Sequence, residues 1–154
     1  MSKFTAGDKA PMFEGVNQNG KKVSLNDFKG KKLILYFYPK DNTPGCTAEA
    51  CNLNDNYEMW IKKGYEIVGV SPDNEKSHLK FIDKFGLKFN LIADTENKIL
   101  EAYFAWGEKS MYGKKYMGVL RSTYVINENG IIEAVFDKVD TNNHTKQIIG
   151  ALNI

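Results

Sequence analysis

The sequence predicts an α/β sandwich in which a mixed central β-sheet is flanked by helices and carries an N-terminal β-hairpin extension. Three observations predict it. Short continuous apolar runs, such as Leu33-Ile34-Leu35-Tyr36-Phe37-Tyr38, read as strands covered on both faces. These runs alternate with segments whose apolar residues recur at helical spacing. Near the C-terminus, two strand-like runs flank Asn127-Glu128-Asn129-Gly130, a strong hairpin signal.

The elements follow in order. Phe13 to Val16 and Lys22 to Leu25 flank Asn17-Gln18-Asn19-Gly20, an expected first hairpin. After the Leu33–Tyr38 strand comes a helix with Ala50, Leu53, Tyr57, Trp60 and Ile61 on its apolar face, stopped by Gly64. Tyr65 to Ser71 is a second strand. A helix is expected over roughly Asn74 to Phe85, with Gly86 as its stop, then a short strand over Asn90–Ala93 and a helical stretch near Asn97 to Tyr103. Trp106 to Gly118 reads as a polar, Gly-punctuated loop. Ser122–Ile126 and Ile131–Phe136 form the second hairpin, and a helix carrying Ile148, Ile149 and Leu152 follows. Strand, helix and strand without a tight turn imply a right-handed parallel crossover. That unit, followed by an antiparallel hairpin and a helix, is the thioredoxin-like arrangement. The 154 residues suit one domain, 1–154.

Composition excludes several classes of function. Hydrophobic residues make up 42% and charged residues 26%, and the net charge of +2 is too small to imply a nucleic-acid partner. No apolar run approaches the ~20 residues that span a bilayer. The stretch from Met1 to Asp8 lacks an apolar signal segment, so a cytoplasmic location is expected. Only two cysteines occur, Cys46 and Cys51, and in a reducing compartment such a pair points to redox or metal chemistry. A structural zinc site needs four Cys or His ligands; His78 and His144 are the only histidines and lie far from the cysteines in sequence. Both histidines are expected at the surface or at helix ends.

The segment Tyr38-Pro39-Lys40-Asp41-Asn42-Thr43-Pro44-Gly45-Cys46 links the first core strand to the first long helix. Thr43 suits an N-cap and Pro44 the first helical position, which makes Cys46 the third helical residue. Its sulfur then faces unpaired N–H groups and the positive end of the helix dipole, conditions that favour a thiolate. A free cysteine is only about 3% thiolate at pH 7, so full ionisation gains roughly 30-fold and no more. Any larger acceleration needs fixed groups around the substrate. Thr43 offers a hydroxyl and Arg121 a permanent cation with five donors. Pro39 has no backbone N–H, and its ring is placed to shield the sulfur. In a regular helix the Cα atoms of Cys46 and Cys51 stand about 8.6 Å apart. A disulfide tolerates ~7 Å, so bonding between them requires the helix to open.

Pro39-x-x-x-Thr43-x-x-Cys46 matches the peroxiredoxin active-site signature. The longer run from Phe37 to Cys51 resembles the Q-type, or bacterioferritin comigratory protein, subfamily. Tyr112 to Gly118 leading into Arg121-Ser122-Thr123-Tyr124 is similar to the segment that supplies that family's arginine. The resemblance spans essentially the whole chain. It implies a peroxidatic Cys46 that forms a sulfenic acid and a resolving Cys51 that closes an intramolecular disulfide. Thr43 and Arg121 would hold the peroxide, Pro39 would shield the pocket, and Glu49 would orient an arginine. It further implies reduction of hydrogen peroxide and organic hydroperoxides, thioredoxin or a similar dithiol as reductant, no metal or organic cofactor, and a monomer. Two other readings compete. A thioredoxin-like disulfide oxidoreductase would place two residues between its cysteines, against four here. A redox sensor would use the same helix opening to signal to a partner.

Overall fold

The computed structural model describes residues 4–154. Residues 1–3, part of the stretch read above for a signal segment and of the expected 1–154 domain, lie outside it. In chain order the described residues form β1 (Glu14–Val16), β2 (Lys22–Ser24), a 3-10 turn (Leu25–Phe28), β3 (Lys32–Phe37), α1 (Pro44–Asp55), α2 (Tyr57–Lys62) and β4 (Tyr65–Ser71). Then come α3 (Glu75–Phe85), β5 (Asn90–Ala93), α4 (Lys98–Ala102), β6 (Trp106–Met111), β7 (Lys114–Val119), β8 (Ser122–Ile126), β9 (Ile132–Phe136) and α5 (His144–Leu152).

The central sheet has the order β5-β4-β3-β8-β9. β3, β4 and β5 run parallel, while β8 is antiparallel to both β3 and β9, so the sheet is mixed as expected. Side chains of β3 alternate between two cores, as the strand pleat requires. Leu33, Leu35 and Phe37 join Phe13, Leu100, Tyr103 and Tyr124 on one face. Ile34 and Tyr36 join Leu53, Trp60, Phe81 and Ile148 on the other, so the second core is roofed by α1, α2, α3 and α5. Burying one such Leu or Phe contributes about 1.5–3 kcal/mol. This double burial explains why β3 reads as an unbroken apolar run.

Two expectations are corrected. The first long helix is two helices, divided at Asn56. There the side-chain amide takes the carbonyl of Asn52 at 2.8 Å, a bond that the residue's own N–H would make in a continuous helix. The segment read as a loop over Trp106 to Gly118 is a β-hairpin, with Trp106 opposite Val119 and Met111 opposite Lys114. Its two-residue turn puts both Tyr112 (φ 52°) and Gly113 (φ 79°) in the left-handed region. Such turns ordinarily take Asn or Asp before Gly, so Tyr112 hid the signal.

Candidate active site

The pairing register delivers the site. Phe37, the last residue of β3, stands opposite Ser122, the first of β8. Arg121 therefore lies beside the start of the loop that leads to Cys46. Tyr36 faces Thr123 and Ile34 faces Val125 across the same pair of strands. By alternation Arg121, Thr123 and Val125 share the sheet face covered by α1.

Cys46 is the third residue of α1, as expected, and is only 1% exposed. Nη2 of Arg121 donates to its Sγ at 3.2 Å. Nη1 of the same guanidinium donates to Glu49 Oε1 at 2.7 Å. Glu49 follows Cys46 by one helical turn, so both acids face one cation from the same side of α1. Burial by itself would lower Arg121, but the charges of Glu49 and Cys46 more than offset it and hold the guanidinium above its ordinary value. Burial pushes the Glu49 carboxyl up to about 7, with Arg121 opposing.

Thr43 occupies the N-cap by backbone conformation (φ −92°, ψ 157°), and its carbonyl takes the first helical bond from the Thr47 N–H at 2.8 Å. The expected side-chain cap is not made. The hydroxyl instead donates to the Lys40 carbonyl at 2.8 Å, which leaves its lone pairs as acceptors. Pro39 is half-buried at the bend just after β3. Cys51 lies on the same helix as Cys46, half-buried and with both thiols free. Its partial burial and then the Asp55 carboxylate raise its thiol above the ordinary value.

Neither histidine is at the surface, each being 0% exposed, though His144 holds the expected helix-end position as the first residue of α5. His78 Nε2 donates to the Ile92 carbonyl at 2.9 Å, and its Nδ1 lies 2.7 Å from Asp41 Oδ2. Asp41 also accepts from the hydroxyls of Tyr38 and Ser77. Its N–H donates to Asp73 Oδ2 at 2.8 Å. This network ties the reactive loop to α3. Asp41, Asp73 and His78 also have the spacing of potential metal ligands, all within 4.8 Å of one another, but these hydrogen bonds already engage their ligand atoms.

His144 opens α5 and faces Glu49, with Nε2 3.7 Å from Oε2. Gln147 Oε1 is fixed as an acceptor because the amide's Nε2 donates to the Lys138 carbonyl. His144 Nδ1 therefore donates to it at 2.9 Å, and Nε2 accepts the Thr123 hydroxyl at 2.8 Å. Burial holds this imidazole down to about 4, so it is neutral. Sequence reasoning missed His144 as a site neighbour: Asn143-His144-Thr145 carries the ordinary signs of a helix start and nothing that points to Glu49.

Comparison with known proteins gives the family and the fold. Residues 6–135 match the profile of the AhpC/TSA family. The chain is 43% identical over 146 residues to Peroxiredoxin Bcp of Bacillus subtilis, covering 95% of this chain and 93% of that one. It is 41% identical over 152 residues to Peroxiredoxin Bcp of Escherichia coli, covering 99% and 97%. Among solved structures, PrxQ of Xylella fastidiosa superposes with a TM-score of 0.91 at 29% identity, over 99% of this chain and 98% of that one. The bacterioferritin comigratory protein of Xanthomonas campestris, studied for alkyl peroxide reduction, gives 0.87 at 33% identity, over 95% and 98%.

Proposed function

Because the chain belongs to the AhpC/TSA family, as a Q-type peroxiredoxin, we propose that it runs its thiol-dependent peroxidase cycle through Cys46 and Cys51. Its substrate is a peroxide and its reductant a thiol. The observation that carries the residue assignment is the guanidinium of Arg121, which donates to Cys46 Sγ with one nitrogen and to Glu49 with the other. Peroxide oxygen takes the electron pair of the Cys46 thiolate; an S–O bond forms, the O–O bond breaks, and the leaving oxygen departs as water or alcohol once protonated. Arg121 stabilises the charge that develops on the oxygens, and the lone pairs of Thr43 accept the peroxide O–H. Pro39 closes the pocket beside them.

Cys51 then attacks the sulfenic sulfur and expels water, giving the Cys46–Cys51 disulfide. Thioredoxin or a similar dithiol returns the two electrons. The expected substrates are hydrogen peroxide and organic hydroperoxides, and the expected setting is a cytoplasmic monomer without metal or organic cofactor, acting on neither nucleic acid nor membrane. In keeping with that setting, no helix among the described residues is long and apolar enough to cross a membrane.

The test is a pair of variants assayed with hydrogen peroxide and a thioredoxin system. Cys46→Ser should consume no peroxide. Cys51→Ser should consume one equivalent and then stop. Equal peroxide consumption by the two variants in the first turnover would refute the assignment.

A further inference from the structure

Glu49 presents a feature that the peroxidase cycle leaves unused. Its side chain is fully buried, and Oε2 makes no hydrogen bond among the described residues. An ionised carboxylate would leave that oxygen without a donor in a dry site, whereas a neutral acid suffers far less from it. His144, whose Nε2 lies 3.7 Å from that oxygen, is held in the wrong state to donate to it. Its Nδ1 proton is committed to Gln147, and its Nε2 lone pair is occupied by the Thr123 hydroxyl. The other titratable groups near Glu49 are Arg121 ahead of β8, Cys46 on its own helix, and Tyr36 on β3. Burial holds the Tyr36 hydroxyl well above its ordinary value, so Tyr36 is neutral. The buried site therefore has one fixed cation, Arg121, between two acids.

We propose that Cys46 and Glu49 share one proton across Arg121. In the reduced site Cys46 is the thiolate and Glu49 the neutral acid; once peroxide converts Cys46 to a sulfenic acid, Glu49 ionises and becomes the counter-ion of Arg121. The step balances. Sulfur supplies two electrons, the S–O bond forms and the O–O bond breaks, leaving hydroxide or alkoxide. That anion needs one proton, and the proton released by Glu49 matches it, so the site exchanges none with solvent. Arg121 keeps a single anionic partner before and after the chemistry. Glu49 acts here through Arg121, as a positioning and proton-holding residue. The raised carboxyl and the depressed imidazole described above agree with this arrangement.

The inference rests on the assignment of Cys46 as the peroxidatic residue, and the experiment separates the two. The Cys51→Ser protein, which stops at the sulfenic acid, is mixed with one equivalent of hydrogen peroxide in weakly buffered solution just below neutrality. A pH indicator counts protons while peroxide loss is followed. The expected result is one equivalent of peroxide consumed with no net proton uptake. The Cys51→Ser, Glu49→Gln protein should take up one proton per sulfenic acid formed. Infrared difference spectra of the Cys51→Ser protein, labelled with carbon-13 at glutamate side chains, should show loss of a protonated-carboxyl band on oxidation. This measurement decides the matter even if the glutamine variant fails to fold. One proton taken up by the Cys51→Ser protein, no uptake by either protein, or an unchanged carboxyl band would overturn the proposal. No peroxide consumption by the Cys51→Ser protein would overturn the peroxidase assignment, and this inference with it.

Discussion

At the scale of single residues, the site depends on a planar fork of donors. Arg121 reaches Cys46 with Nη2 and Glu49 with Nη1, two directions that one lysine ammonium cannot satisfy in the same rigid geometry. Arg121→Lys keeps the charge and should still lower kcat/KM for hydrogen peroxide by about 10²-fold, the cost of losing a preorganised donor. Stopped-flow measurement of Cys46 oxidation checks this, and a loss under about tenfold would argue that charge alone suffices. Thr43 was legible as an N-cap, but its side chain does a different job. With its proton on the Lys40 carbonyl, its oxygen is an acceptor. Cys46, Thr43, Pro39 and Glu49 were readable because they lie within a few residues of one helix start. His144 was not, because only the packing of α5 on α1 brings it to Glu49.

At the scale of elements, α1 is built to open at one end. It buries Cys46, Glu49 and Ala50 in its first two turns, a small payload, and Leu53 in its third. Beyond Cys51 the helix is tied down. Asn52 Oδ1 accepts from the Thr145 N–H at 2.8 Å, and its Nδ2 donates to the Asn142 carbonyl at 3.1 Å. Asn54 bridges to Lys88 N–H and the Gly86 carbonyl in the same way. Opening to form the disulfide should therefore stop at Asn52. Hydrogen exchange should show the amides of α1 from Thr47 onward losing protection on oxidation, because each lies in the opened segment or bonds one of its carbonyls, while α2 and β3 keep theirs. Loss that spreads into α2, or none in α1, would contradict this. The sequence reading foresaw the opening from the cysteine spacing, but not its boundary. The asparagine anchors engage the start of α5 and the end of α3, and no local pattern reveals such partners.

At the scale of the whole molecule, two buried groups pull stability in opposite directions with pH. Glu49 is raised from 4.5 to about 7, so its contribution is full below pH 4.5 and is lost as pH rises through 7. His144 is lowered from 6.5 to about 4, so its contribution is full above pH 6.5 and is lost as pH falls through 4. Each is worth about 3 kcal/mol across its window. Between pH 4.5 and 6.5 the two slopes cancel. Glu49→Gln should unmask the histidine: its urea midpoint should fall steeply from pH 6.5 to 4, where the parent changes little through these two groups. Parallel profiles for the two proteins would refute the opposition.

The sequence by itself determined the α/β class, the order of the main elements and the reactive turn, because apolar periodicity, Pro and Gly signals and the motif around Cys46 all act over short stretches of chain. It placed Cys46 in the first turn of a helix, and the structure agrees. It singled out Arg121 by resemblance alone. Only the tertiary structure decided that Arg121 meets the sulfur, through the Phe37–Ser122 register of two strands far apart in sequence. Likewise only packing buried His78 and His144, joined the loop to α3 through Asp41, and left one oxygen of Glu49 without a donor among the described residues. The physical reason is common to these cases. The environment of a buried polar group is set by whichever elements close over it, and that closure depends on side chains supplied by the entire fold.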